Sequence, residues 1–167
     1  TDALTGLPNR RAIFEDLTTL FSLARHLKRN AIIAFIDLDD FKLINDRYGH
    51  EAGDQFLIEV GKRLTEEKQQ DDIIGRLGGD EFLVASLSQP HQDGDNAQLT
   101  LLKTRLSACI AGEYWLGSVH IIYPGASFGV IEVDRAATDP DSALRAADVA
   151  MYQDKKGKSK SRFLTID

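Results

Sequence analysis

At 167 residues with a formal net charge of −6, the chain has the length of one domain and the wrong sign of charge for a general nucleic-acid binder, which needs a basic face to neutralise phosphates. Its 43% apolar and 28% charged residues suit a globular core, its longest purely apolar run, Ala31 to Ile36, is too short to span a bilayer, and its single cysteine, Cys109, excludes an intrachain disulfide framework. These bounds predict one domain over residues 1–167 in a reducing, cytoplasmic setting, and the start at Thr1 rather than methionine suggests a piece of a longer protein, which the sequence leaves free to be membrane-attached elsewhere.

Turn residues crowd Thr1 to Arg11, after which Ile13, Leu17, Leu20, Phe21 and Ala24 recur at helical spacing and predict a helix ending near Asn30. Ala31 to Ile36 is continuous and apolar, the pattern of a strand buried on both faces, and it runs directly into Asp37-Leu38-Asp39-Asp40-Phe41-Lys42. An acidic cluster at the carboxyl end of a buried strand is where open α/β sheets hold ligands. Leu43 to Tyr48 predicts a short helix, Gly49 to Asp54 a turn, and Leu57, Val60, Gly61 and Leu64 one face of a longer helix. Ile74 to Val84 reads as a β-hairpin in which Gly78 and Gly79 supply backbone freedom and Asp80 and Glu81 display carboxylates at the mouth of the sheet.

Gln89 to Asn96 reads as an exposed loop, and Leu99, Leu102, Leu106 and Ile110 form a helix face. A second hairpin is predicted between Tyr114 and Val133, turning near Gly117-Ser118 and broken by Pro124-Gly125. Asp139-Pro140 starts a helix running through Met151, and Ser161 to Ile166 closes as a last strand. The succession predicts an α/β sandwich of the α+β kind, with a mostly antiparallel sheet covered by helices.

If the strand ending at Asp37 pairs beside the glycine hairpin, Asp37 and Asp80 reach one rim and share a hard divalent cation, with the Leu38 carbonyl as a further oxygen ligand. Magnesium bound in this way takes few protein ligands and expects phosphate oxygens for the rest. The segment from Leu38 to Lys42 would offer backbone N–H groups at a helix start, with the Lys42 ammonium beside them. Each carboxylate taken singly reads first as a solvated cap or turn residue. The acids and Lys42 together point to a nucleotide-phosphate site.

Gly78-Gly79-Asp80-Glu81-Phe82 resembles the signature of the GGDEF family of diguanylate cyclases. Three more segments resemble that family in its order: Thr1 to Arg10, the run Phe35 to Asp46 followed by Gly49-His50-Glu51-Ala52-Gly53-Asp54, and Ala147 to Lys155. The resemblance implies a palm-like, nucleotidyl-cyclase-type sheet with a βαββαβ core, and condensation of two GTP into cyclic di-GMP and two pyrophosphates. It implies Asp37 and Asp80 as carboxylate ligands of magnesium, or of manganese in its place, with Leu38 as the carbonyl ligand. Glu81 would be the second essential acid, either assisting deprotonation of the attacking 3′-hydroxyl or holding a second metal. Lys42 and Lys155 resemble the phosphate contacts, and Asp39, Asp40 and Phe41 lie in the same substrate loop. Asn45 and Asp54 resemble the guanine readers, with His50 lining their pocket. The chemistry agrees: guanine presents N1–H and its 2-amino group together to a carboxylate, whereas adenine would set a lone pair against that charge.

Ring closure needs two nucleotides facing each other, which implies a two-fold homodimer, and the absence of coiled-coil heptads places its control in an upstream sensory or regulatory domain. The alternative is an inactive relative that binds GTP or cyclic di-GMP as a signal. The sequence departs from the family pattern twice. Gln69 stands where many relatives carry the arginine of an inhibitory Arg-x-x-Asp motif, although Asp72 is in place, which predicts weak or absent product inhibition. After Lys155 the family's Gly-Arg-Asn gives way to Lys156-Gly157-Lys158-Ser159-Lys160-Ser161-Arg162, so that Lys158 or Arg162 replaces the phosphate arginine or the tract is a solvated basic tail.

Overall fold

The computed structural model describes residues 1–90, 96–137 and 139–158, together with the backbone of 164–166. At its centre lies β1 (Ala31–Asp37), antiparallel to β3 (Glu81–Leu87) on one side and to β6 (Ser127–Val133) on the other. Outside β3 runs β2 (Ile73–Gly78), giving a four-stranded sheet in the order β2-β3-β1-β6. All seven residues of β1 are buried because alternate side chains enter two separate helical layers. Ile32, Ala34 and Ile36 join the core under α3 (His50–Glu67) and α4 (Ala97–Ile110). Ile33 and Phe35 face α1 (Arg10–Leu27) and α5 (Pro140–Lys156). The unbroken apolar run therefore belongs to an antiparallel strand covered on both faces.

The helix ends follow local chemistry. The Asn9 side chain accepts from the Ala12 N–H at 3.0 Å and starts α1, and Asp139 caps α5 with Pro140 in its first turn. Helix α5 lies directly on β6 at Gly129, where a methyl group would overlap the Ala147 carbonyl and the Met151 backbone nitrogen.

Three sequence readings are corrected. The chain from Gly49 to Asp54 is not a turn: Gly49, at φ +93°, separates α2 (Phe41–Tyr48) from α3, and His50 to Asp54 are already helical. Helix α2 begins at Phe41, two residues before the predicted start. The expected second hairpin is confined to β4 (Gly112–Leu116) and β5 (Val119–Tyr123), while β6 leaves it after Pro124-Gly125 to pair with β1. With β7 (Leu164–Ile166) these two strands make a separate antiparallel sheet, β4-β5-β7. That sheet rests on α3 through Phe56, whose ring lies 4.7 Å from those of both Tyr114 and Tyr123. The order β1-α3-β2-β3-α4-β6 within the main sheet is the expected βαββαβ core. Residues 91–95 of the predicted loop and 161–163 before β7 lie outside the described residues.

Candidate active site

The register of β1 on β3 places Asp37 opposite Glu81, and the Leu38 N–H donates to the Asp80 carbonyl at 3.1 Å. The two acidic strand ends foreseen from sequence therefore meet at one rim. Between β2 and β3 the turn is Gly79-Asp80, with Gly79 at φ +48°, a left-handed position that glycine occupies without cost. Arg76, which the sequence reading passed over, fixes this turn. Its Nε and Nη2 donate to the Gly79 carbonyl at 3.0 and 2.8 Å, and its Nη1 to both Asp2 oxygens at 3.0 and 3.1 Å. Asp2 also accepts from the Thr5 N–H at 2.9 Å and hydroxyl at 2.7 Å. Burial opposes the charge on Asp2, but the Thr5 bonds and the guanidinium outweigh it and hold the carboxyl below its ordinary range.

Asp37 is 9% exposed. Burial and then the neighbouring Asp80 push its carboxyl up to about 6, against the pull of Lys155, whose Nζ lies 3.3 Å from Oδ2. Its Oδ1 is buried with no hydrogen-bond partner. Glu81 is also raised, first by burial and then by Asp148 and Asp80, with Arg10 and Lys155 opposing. Asp148 and Arg10 are further members of the site's electrostatics that the sequence did not single out. An orphaned carboxylate oxygen among like charges is what a cation would relieve, so the residues fit a divalent metal. Among the described residues no group of three or more His, Cys, Asp or Glu side chains is arranged to hold a metal. Two carboxylates and a carbonyl are nevertheless enough for magnesium when phosphates complete its shell.

The loop from Leu38 to Asp40 leads into α2. Asp40 takes a left-handed conformation, φ +62°, and makes no side-chain cap, so the first N–H groups of α2 are not covered by its carboxylate. Phe41 stacks on Phe56 at 6.5 Å between ring centres, and Lys42 is exposed one residue further on. Asn45 on α2 meets α3 at Gly53, where a methyl group would overlap the Asn45 side-chain oxygen. Asp54, next in the chain, and His50 are both exposed. The structure thus groups Asn45, His50 and Asp54 at the α2–α3 corner. It turns the Asp39 carboxylate elsewhere, onto Ser127 and Lys158. Arg162 lies outside the described residues. Asp72 is folded onto its own turn, accepting from the Gln69 N–H at 2.9 Å.

Residues 1–161 match the protein family described as "Diguanylate cyclase, GGDEF domain". The chain belongs to the GGDEF family. It is 62% identical over 164 residues to diguanylate cyclase DgcP of Escherichia coli (strain K12), an alignment covering 98% of this chain and 47% of that protein. Among solved structures it resembles a sensory box/GGDEF family protein from Caulobacter crescentus CB15, with a TM-score of 0.86 and 31% identity over 94% of this chain and 98% of that one. The coiled coil and GGDEF domain of DgcB from Caulobacter crescentus, solved in complex with c-di-GMP, matches with a TM-score of 0.79 and 25% identity over 94% of this chain and 81% of that one. The chain spans about half the length of DgcP, 22% of cyclic di-GMP phosphodiesterase PdeR of Escherichia coli (strain K12) and 20% of signaling protein YkoW of Bacillus subtilis (strain 168). No helix among the described residues of this GGDEF domain is long and apolar enough to cross a membrane.

Proposed function

We propose that this GGDEF domain is a diguanylate cyclase, which condenses two GTP into cyclic di-GMP and two pyrophosphates with one GTP held by each subunit of a two-fold dimer. The observation that carries the reading is the rim where Asp37, Asp80 and Glu81 converge and Asp37 Oδ1 lacks a partner. Asp37, Asp80 and the Leu38 carbonyl would hold magnesium, which supplies positive charge against the α-phosphate and the departing pyrophosphate.

The chain's own residues do the rest. Lys42 and Lys155 hold the phosphates, and the N–H groups opening α2 donate to the oxygens of the terminal ones. The loop residues Asp40 and Phe41 shape that seat. Asn45 and Asp54 read guanine beside His50. Glu81, whose raised proton affinity suits it to the task, takes the proton of the 3′-hydroxyl as that oxygen attacks the α-phosphorus of the facing GTP and pyrophosphate leaves. The same step, repeated across the dimer axis, closes the ring. We further propose that the domain works in the cytoplasm, that an upstream domain governs dimerisation, and that Gln69 leaves it without a tight inhibitory product site.

Equilibrium binding with magnesium tests the site. A non-hydrolysable GTP analogue should bind at least about tenfold more tightly than its ATP counterpart, and Asp54→Ala should erase that preference. Equal affinity for both nucleotides in the unaltered domain would refute the assignment of the guanine readers.

A further inference from the structure

The Asp39 carboxylate, next to the Leu38 carbonyl and expected among the substrate contacts, is fully engaged within the protein. Its Oδ1 accepts from the Ser127 hydroxyl at 2.7 Å and its Oδ2 from Lys158 Nζ at 2.8 Å, while its backbone carbonyl accepts from the Tyr123 hydroxyl at 2.6 Å. Lys158 also donates to the Ala126 carbonyl. Ser127 is 0% exposed, Tyr123 and Ala126 are buried, and the side chains of Lys158 and Asp39 are mostly covered. Groups from the end of β5, the start of β6 and the chain beyond α5 thus converge on one residue. That residue sits between the last residue of β1 and the left-handed Asp40 that opens α2.

We propose that Asp39 is a positioning residue and Lys158 its counter-ion, a clasp that fixes the Leu38–Asp40 loop so that the Leu38 carbonyl and the first N–H groups of α2 address the same nucleotide. Lys158 therefore acts on the site through the loop and not by touching phosphate. A carboxylate held by an ammonium and a buried hydroxyl makes strong, directional bonds, and the Tyr123 latch adds a second point of restraint on the same residue. Two restraints on one loop residue fix both its position and the peptide orientation that aims the neighbouring carbonyl. This inference rests on the GTP reading above.

The test is calorimetric affinity for a non-hydrolysable GTP analogue and for guanosine, both with magnesium, alongside thermal melting of the intact domain. The variants are Asp39→Asn, Ser127→Ala, Lys158→Met, Lys158→Arg and the double Asp39→Asn/Lys158→Met. Asp39→Asn, Ser127→Ala and Lys158→Met should each lose about tenfold in GTP-analogue affinity, the value of one good hydrogen bond, with guanosine affinity unchanged. The double variant should lose no more than either of its singles, and Lys158→Arg should retain affinity. Ser127 is buried and uncharged, so a loss there cannot come from a missing phosphate contact. A double variant that loses the product of the two single effects would overturn the clasp and make Lys158 an independent phosphate ligand. Wild-type affinity in Ser127→Ala and Asp39→Asn would overturn it as well. An unaltered domain that binds guanosine and the GTP analogue equally weakly would instead overturn the GTP reading, and the role of the clasp with it.

Discussion

Lys155 Nζ lies 3.3 Å from one oxygen of Asp37, while the other oxygen of the same carboxylate is buried with no partner at all. The protein supplies half of this group's compensation and leaves half open, in a place where burial and Asp80 disfavour its charge. A buried group left in this state is costly to the fold and useful only to a ligand that completes it.

Asp37→Asn keeps the shape and removes the charge. Cyclic di-GMP formation by the variant should fall by at least about a hundredfold, the scale of losing one preorganised electrostatic partner. Its melting midpoint in chelator at pH 8 should match or exceed that of the unaltered domain, because the charge it removes is disfavoured in the folded state. A lower midpoint with activity retained would show that Asp37 is structural.

The strap from Asp2 through Arg76 to Gly79 fixes the turn that carries Asp80. Because the folded Asp2 carboxyl is held below its ordinary value of 3.8, its contribution to stability is present above that value and disappears as pH falls through the lower, folded value. Asp2→Asn should therefore melt several degrees below the unaltered domain at pH 7, and the gap should close in strong acid. Melting curves from pH 7 to pH 2.5 test this, and a gap constant with pH would refute the ionic strap.

Gly129→Ala places a methyl group against the backbone of α5 at Ala147 and Met151. Backbone cannot step aside as a flexible side chain can, so the cost should lie at the upper end for overpacking, about 3 kcal/mol. Urea denaturation would show it, and a change below about 1 kcal/mol would mean that α5 shifts freely on β6.

Gly53→Ala acts at the other end of the site. The new methyl displaces the Asn45 carboxamide, so KM for GTP should rise about tenfold with the melting midpoint little changed. Steady-state kinetics and melting together test it; an unchanged KM would release Asn45 from guanine recognition.

The acids were legible because each sits at the end of its own strand signal, and the register of β1 on β3 then needed only the Gly79-Asp80 turn. Arg76 and Asp2 were not, because an arginine two residues before a glycine pair carries no mark of a partner 74 residues away. The turn read over Gly49 to Asp54 failed because one glycine at φ +93° is enough to separate two helices and leaves the remaining residues free to be helical. The departure of β6 from the second hairpin was hidden for a related reason. Pro124-Gly125 marks a break, but only the pairing of Ser127 with Asp37 reveals where the strand goes, and it is that pairing that brings Ser127 to Asp39.

Turnover by paired half-sites is tested when the pairing itself is supplied. The domain, held as a dimer by a fused coiled coil, is incubated with saturating GTP and magnesium, and nucleotides are resolved by chromatography beside Asp80→Ala and Glu81→Ala variants. Cyclic di-GMP and pyrophosphate should form in a ratio of one to two in the unaltered dimer, and neither should form in either variant. GTP left intact by the tethered, unaltered dimer would refute turnover by paired half-sites.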